Sequence, residues 1–311
     1  ICCKSPFLKA LVFSIWVLSN SILLSIDLRK LKHIVLTSLI FLLPSSIILI
    51  QGDAGTALVY FAFFLVFLRE GLSLNFLILA LAFILIFILG LLLDSYMLYI
   101  IITTIFLIVV GLSIKEIKKV INAIVFFTLA ILIVNGQDFV LNNVLSPKQK
   151  QRVETLVNPN SDPLGSGWNI TQSKIAIGSG GFFGKGFLKG TQTGLNFVPI
   201  QSTDFIFSVI GEEFGYLGSM TFVILYLIFL YRILVLSEYQ KDKFARVFGY
   251  STFSIFLFHF TINVSMTLGL FPVIGIPLSF ISYGGSSLLS FSLLLFVFLK
   301  LDSVKPSILA R

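Results

Sequence analysis

The sequence predicts an all-α polytopic membrane protein with about nine transmembrane helices and one long extracytoplasmic loop, 136–204. Three observations carry this. Of 311 residues, 57% are hydrophobic and 12% charged, about half the ~25% charged share of a soluble domain. Mean hydropathy is +1.03, and no water-soluble fold of this length hides so much apolar surface. The apolar runs approach the ~20 helical residues that cross a bilayer. Disorder, a disulfide scaffold and an ordinary cytosolic enzyme are excluded.

The runs fall near 8–26, 34–51, 55–69, 72–93, 96–113, 120–135, 205–231, 247–270 and 281–300. The break at Asp53–Gly55 is short, so 34–69 also reads as one broken helix pair. The long polar stretch 136–204 separates N-terminal helices, 1–135, from C-terminal helices, 205–311. Net charge is +8. Basic residues gather in one set of alternate loops: Arg29, Lys30 and Lys32; Arg69; Lys115, Lys118 and Lys119; Arg232, Lys241, Lys243 and Arg246; Lys300, Lys305 and Arg311. The short loops around Asp53, Asp94 and Phe271–Ser279 have none. The first set is therefore cytoplasmic and 136–204 faces outward. The charge excess is a topology signal and does not imply nucleic acid. Cys2 and Cys3 are sequence neighbours with no histidine near, which suits neither a disulfide nor a zinc site. The chain opens on Ile1 in apolar sequence, so a missing N-terminal part is expected rather than a signal peptide.

The outward loop holds the chemistry. It is rich in glycine from Gly165 to Gly194 and carries Pro159, Pro163 and Pro199. Its apolar runs Ile175–Ile177 and Phe182–Phe183 argue for a binding loop folded back onto the outer face. Neither His33 nor His259 lies in it, which excludes Ser–His–Asp catalysis there. His259 shares a four-residue spacing with Ser251, Asn263 and Thr267, the pattern of interhelical hydrogen bonding or of an intramembrane functional site. The run Gly178 to Gly186 is no P-loop, because Ser179 and Gly186 occupy the places of its first Gly and its Ser/Thr. Beside Lys174, Lys185 and Lys189 it reads as a phosphate cradle or as an ordinary turn.

Acid–base work then falls to a carboxylate. The outward candidates are Asp53, Asp94, Asp138, Glu154, Asp162 and Asp204. Asp204 ends the polar loop and starts a helix above Ser208, Gly211 and Gly215, a small-residue stripe that would leave a substrate groove. The alternative is a helix N-cap supplied by Ser202, Thr203 or Asp204. Glu212 and Glu213 lie about 12 Å further along that helix and need partners, for which Lys174 and Arg152 are the candidates.

The motifs Asp162-Pro163-Leu164-Gly165-Ser166-Gly167, Gln172 to Gly181, Gly190-Thr191-Gln192, Thr203 to Phe207, Gly211-Glu212-Glu213 and Ser282-Tyr283-Gly284-Gly285-Ser286 follow in order. Together they resemble the SEDS family of bacterial peptidoglycan polymerases, over most of the chain from about Gln151 on. Gln51 to Ala57 is a looser match, and the Gly190-Thr191-Gln192 form looks like the family's elongation branch, RodA, more than its division branch, FtsW. Ser202 and Asn196 stand where the family usually has His and often has Glu. The family's first helices look absent.

The resemblance implies a glycosyltransferase that polymerises lipid II outside the bacterial cytoplasmic membrane, in cell-wall elongation and cell-shape maintenance. Its partners would be a class B penicillin-binding protein, the transpeptidase, and other elongation-complex membrane proteins. It places the essential acid on Asp204. It makes Arg152, Gln172, Lys174, Lys185, Glu212 and Ser286 substrate-binding or substrate-shaping. A divalent cation, Mg or Mn, would be compatible with the pyrophosphate leaving group. The alternatives are a flippase for a lipid-linked precursor and an inactive scaffold for the penicillin-binding protein.

Overall fold

The computed structural model describes residues 42–49, 54–71, 93–113, 116–139, 147–157, 165–195 and 197–303, with isolated positions among 78–90 and Asp162. Its elements are α1 Ala54–Ala62, α2 Phe64–Arg69, α3 Ser95–Ser113, α4 Ile117–Phe139, α5 Pro147–Val157, α6 Ser166–Ser179, α7 Thr191–Gly194, α8 Ile206–Glu238, α9 Lys243–Thr267 and α10 Gly285–Ser303. No strand occurs among the described residues. Among the described residues five helices are long and apolar enough to cross a membrane: α3, most of α4, α8, α9 and α10. They match the spans expected near 96–113, 120–135, 205–231, 247–270 and 281–300. The expected 55–69 span is a shorter apolar helix, 55–69. The span at 8–26 lies outside the described residues, as do parts of those at 34–51 and 72–93.

The chain forms two compact units, residues 1–72 with 159–311, and residues 73–158. In the second unit α3 and α4 pair through Leu98, Ile102, Ala130 and Val134. Phe106 stacks on Phe127 at 4.4 Å, and Tyr99 donates to Asn135 Oδ1 at 2.6 Å.

In the first unit α9 is the hub. It starts earlier than hydropathy alone suggests because Asp242 caps it, accepting from Ala245 N at 3.0 Å. It is the least apolar of the five long helices yet the most enclosed, 61% buried over its span against 11–17% for the others. Its polar side chains face protein, where hydrogen bonding between helices favours them, and not lipid. Around it lies an aromatic core in which Tyr226 stacks on Phe260 at 4.4 Å and Phe256 contacts Phe229, Phe280 and Phe291. At one end of the unit Arg69 pairs with Glu238 and donates to the Tyr250 hydroxyl at 3.0 Å, while Arg246 pairs with Glu70 at 3.4 Å.

Helix α8 is broken at Gly215, whose φ of 66° and ψ of −160° no helix contains. The broken turn is repaired from outside. The N–H groups of Tyr216 and Leu217 donate to Gly181 O at 2.9 Å and Phe182 O at 3.1 Å. In return the carbonyls of Glu212 and Glu213, the partners those amides would have had in a continuous helix, accept from Lys185 N at 3.0 Å and Gly186 N at 2.9 Å. The loop after α6 is thereby threaded into the helix. The approach leaves no room for a side chain: a Cβ on Gly215 would lie 2.3 Å from Gly184 N, and one on Gly184 2.2 Å from Glu213 O.

Gly215→Ala and Gly184→Ala should therefore each destabilise the protein by at least 1–3 kcal/mol, the order of a strained backbone conformation. Gly178→Ala, whose Cβ would meet open space within a helix, should be neutral or slightly stabilising. Thermal unfolding of the three variants in detergent measures this; equal midpoints would mean that the loop does not depend on the break.

Candidate functional site

Asp204 stands in a turn held on both sides. The N–H groups of Thr203, Asp204 and Phe205 converge on Ile200 O at 3.2, 3.2 and 3.4 Å. Three successive carbonyls are captured by the α9–α10 side of the unit. Ser202 O accepts from Tyr283 N at 2.7 Å, Thr203 O from Ser282 Oγ at 2.5 Å, and Asp204 O from Asn263 Nδ2 at 2.8 Å. Ile200 and Phe280 have positive φ, 58° and 67°, conformations that bulky side chains rarely adopt without a surrounding structure that imposes them. Phe205 is buried with Ile170, Ala176, Val198 and Val273, so α6, the loop and the 272–278 segment meet under the turn.

The Asp204 side chain is half-buried. A Cβ on Gly275, a left-handed residue at φ 74°, would lie 3.4 Å from its Oδ2. The helix cap is Phe205, which has no accepting side chain, and Asp204 lies one residue outside it.

The Glu212 carboxylate is fully buried and saturated. Oε1 accepts from Lys185 Nζ at 2.7 Å, Thr191 N at 2.8 Å and Gln192 N at 2.9 Å. Oε2 accepts from Thr193 N and Thr193 Oγ1, both at 2.8 Å. Glu212 thus supplies the acceptors that the first turn of α7 lacks. Lys185 Nζ also reaches Ser179 Oγ and Thr191 Oγ1, each at 2.7 Å.

This corrects three expectations. The partner of Glu212 is Lys185 and not Lys174 or Arg152, because docking the loop at Gly215 carries Lys185 to it. The 178–186 run is no open phosphate cradle. The N–H groups of Gly180, Gly181, Gly184, Lys185 and Gly186 all donate to backbone carbonyls. Nor does the stripe Ser208, Gly211, Gly215 leave a groove. Ser208 is fully buried, a Cβ on Gly211 would lie 2.9 Å from Ile177, and Gly215 abuts the loop.

The other candidates are distributed. Lys174 on α6 is exposed, its amine against Gly269, and it has no ion pair among the described residues. Gln172 is buried on the same helix, and Ser173 beside it donates to Thr267 O at 2.8 Å. Ser286 is exposed in the first turn of α10. Arg152 is half-buried on α5, in the other compact unit. Asn196 lies outside the described residues. Of the polar stripe on α9, Ser251 and Thr267 bond their own helix, while His259 Nδ1 meets Pro277 O at 3.1 Å and Asn263 bridges outward. Asn263 is the residue of that stripe, read from sequence as interhelical bonding or an intramembrane site, that reaches the Asp204 turn. Among the described residues no three His, Cys, Asp or Glu side chains come together to hold a metal, so no protein-only cage exists there for the divalent cation considered above.

Long apolar helices packed on a polar hub, with a structured loop carrying a carboxylate at one end, define a multi-pass membrane protein. The Cell cycle protein family model (FtsW/RodA/SpoVE) matches residues 74–305, and the chain belongs to that family. It is 38% identical over 282 residues to the peptidoglycan glycosyltransferase RodA of Treponema pallidum, covering 83% of this chain and 65% of that protein. It is 46% identical over 141 residues to the peptidoglycan glycosyltransferase MrdB of Escherichia coli K12, covering 45% of this chain and 38% of that one. A solved chain from a peptidoglycan synthase complex that coordinates polymerization and crosslinking superposes with a TM-score of 0.63 at 26% identity, covering 92% of this chain and 66% of that one. The chain thus spans at most about two thirds of the relatives it matches.

Glu212→Gln would turn an NH₂ group toward α7 amides that need an acceptor, and should cost about 3 kcal/mol, the order for a lost hydrogen bond to a buried charge. Lys185→Met should cost less, since the lysine is part-exposed and the amides still hold the carboxylate. Thermal midpoints and protease cleavage between 185 and 200 report both. A Glu212→Gln protein as stable as wild type would contradict the assignment.

Proposed function

We propose that the protein is a peptidoglycan glycosyltransferase of the bacterial cytoplasmic membrane, polymerising lipid II on its outer face during cell-wall elongation beside a class B penicillin-binding protein. One observation carries this reading: Asp204 sits, half-exposed, on a turn whose backbone is fixed by Asn263, Ser282 and Tyr283. Family membership supports it, as do relatives named peptidoglycan glycosyltransferases. Asp204 accepts the proton of the acceptor sugar's 4-hydroxyl. The oxygen so activated bonds to the donor's anomeric carbon as the bond from that carbon to the undecaprenyl pyrophosphate breaks. A general base of this kind contributes ~10²–10⁴-fold. Lys174 offsets charge on the departing pyrophosphate. Gln172 and Ser286 shape the site. Lys185 and Glu212 position the loop, their charges being spent on each other and on α7.

Asp204→Asn keeps shape but cannot take the proton, so glycan polymer from lipid II should fall ~10²–10⁴-fold in a gel assay with folding intact. Near wild-type polymer would remove Asp204 from the mechanism, and translocation of lipid II without polymer from the wild type would favour a flippase.

Orientation is tested by thiol labelling in a background where Cys2 and Cys3 are serine. Exposed Lys189→Cys should react with an impermeant reagent in intact cells, and exposed Lys241→Cys only after permeabilisation. The reverse pattern would place the Asp204 turn inside and overturn the lipid II assignment.

A further inference from the structure

Asn263 is fully buried on α9, and its single Nδ2 group donates both to Asp204 O and to Ile276 O, each at 2.8 Å. The assignment of nitrogen rather than oxygen to that end follows from chemistry, because two carbonyls converge there and only a donor is tolerated between them. The other end, Oδ1, is buried with no hydrogen-bond partner. Burying an amide with half its capacity unmet costs free energy, so the residue is not there for stability alone. The two carbonyls it joins belong to the two segments that meet at the Asp204 carboxylate: the turn carrying it, and the 272–278 segment whose Gly275 stands against Oδ2. Ser282 Oγ ties the turn to the end of the same segment, accepting from Leu278 N at 2.7 Å and donating to Thr203 O at 2.5 Å, but it acts on the residue before Asp204. Asn263 is the side chain that holds the Asp204 carbonyl itself and joins it to the part of the segment next to Gly275.

We propose that Asn263 is a positioning residue for the reaction: by joining the Asp204 carbonyl to the Ile276 carbonyl it sets where the Asp204 carboxylate stands relative to the wall of the site. The proposal rests on the reading of Asp204 as the general base. Removing the amide leaves the carboxylate in place chemically but lets it shift, and a displacement of about 1 Å costs ~10²-fold in rate. Substrate binding, which depends on other groups, is untouched.

The test compares wild type, Asp204→Asn, Asn263→Asp and Asn263→Ala of the full chain in lipid vesicles, with initial rates of polymer formation against lipid II concentration and folded enzyme quantified by thermal unfolding. Asn263→Asp is isosteric but offers carboxylate oxygen to both carbonyls. Expected is a ~10–100-fold fall in kcat per folded molecule with KM within about twofold. A purely structural asparagine would lower the folded fraction and leave kcat per folded molecule unchanged, which overturns the proposal. A rise in KM at constant kcat overturns it too, by making Asn263 a substrate contact. If Asp204→Asn retains wild-type rate, the general-base reading fails first and the positioning role with it; if that variant is dead while Asn263→Ala and Asn263→Asp are fully active, only the positioning role fails. Should neither Asn263 variant accumulate, Asn263→Ser, which keeps one donor in a smaller volume, carries the same comparison.

Discussion

The hydrogen-bond exchange at Gly215 is the constraint on which the Asp204 end of the first unit depends. A helix interrupted there leaves two N–H and two C=O groups without partners, and each unmet buried group costs about 1–3 kcal/mol. The loop after α6 meets all four with its own backbone. Neither partner is satisfactory alone, so the break and the loop must form together. Once they have, the rest is determined. Lys185 is placed over Glu212, Glu212 faces the first turn of α7, and the chain leaves α7 toward the Asp204 turn with its origin already fixed.

The Asp204 turn is built on the opposite logic, with more restraints than its conformation needs. Ile200 and Phe280 are held in a backbone region that costs about 1–3 kcal/mol apiece. Their retention is offset by the amides gathered on Ile200 O and by the three captured carbonyls. A carboxylate on a turn so restrained does not reorganise when charge develops beside it, which is what preorganised catalysis requires. Hub helix α9 gives up lipid solubility for this. Its asparagine and serines would be costly against hydrocarbon and are tolerated because the hub is enclosed.

How much of this the sequence disclosed follows from the range of the interactions. Hydropathy has a period of a few residues, so the long helices and the polar loop were legible, and so was the position of Asp204 at their boundary. The motif resemblance reached the family. The reading failed where the partner is distant. Glu212 and Lys185 are separated by 27 positions, and only the threaded loop brings them together. Gly211 and Gly215 were legible as small residues but not as occupied space, because a small-residue stripe looks the same whether it receives a ligand or a neighbouring backbone. A polar run at Thr191–Thr193 starting a short helix, whose first amides need acceptors, was the signal that could have found the pairing.

The division of labour among the charged groups then follows from saturation. Glu212 has both oxygens occupied by amides, a hydroxyl and an ammonium. Taking up a proton would set an O–H against donors, so a base cannot be made of it. Lys185 is likewise neutralised at short range, and the field it offers a distant anion is that of a dipole. Lys174 differs, being exposed at the α9 end, where Gly269 leaves room for its amine. Lys174 and the Asp204 carboxylate both border the segment from Gly269 to Gly275, one carrying positive charge and the other negative. A glycosyl transfer needs a cation near the leaving pyrophosphate and a carboxylate near the attacking hydroxyl. Within this unit that glycine-flanked segment is where the two charges come to a common edge.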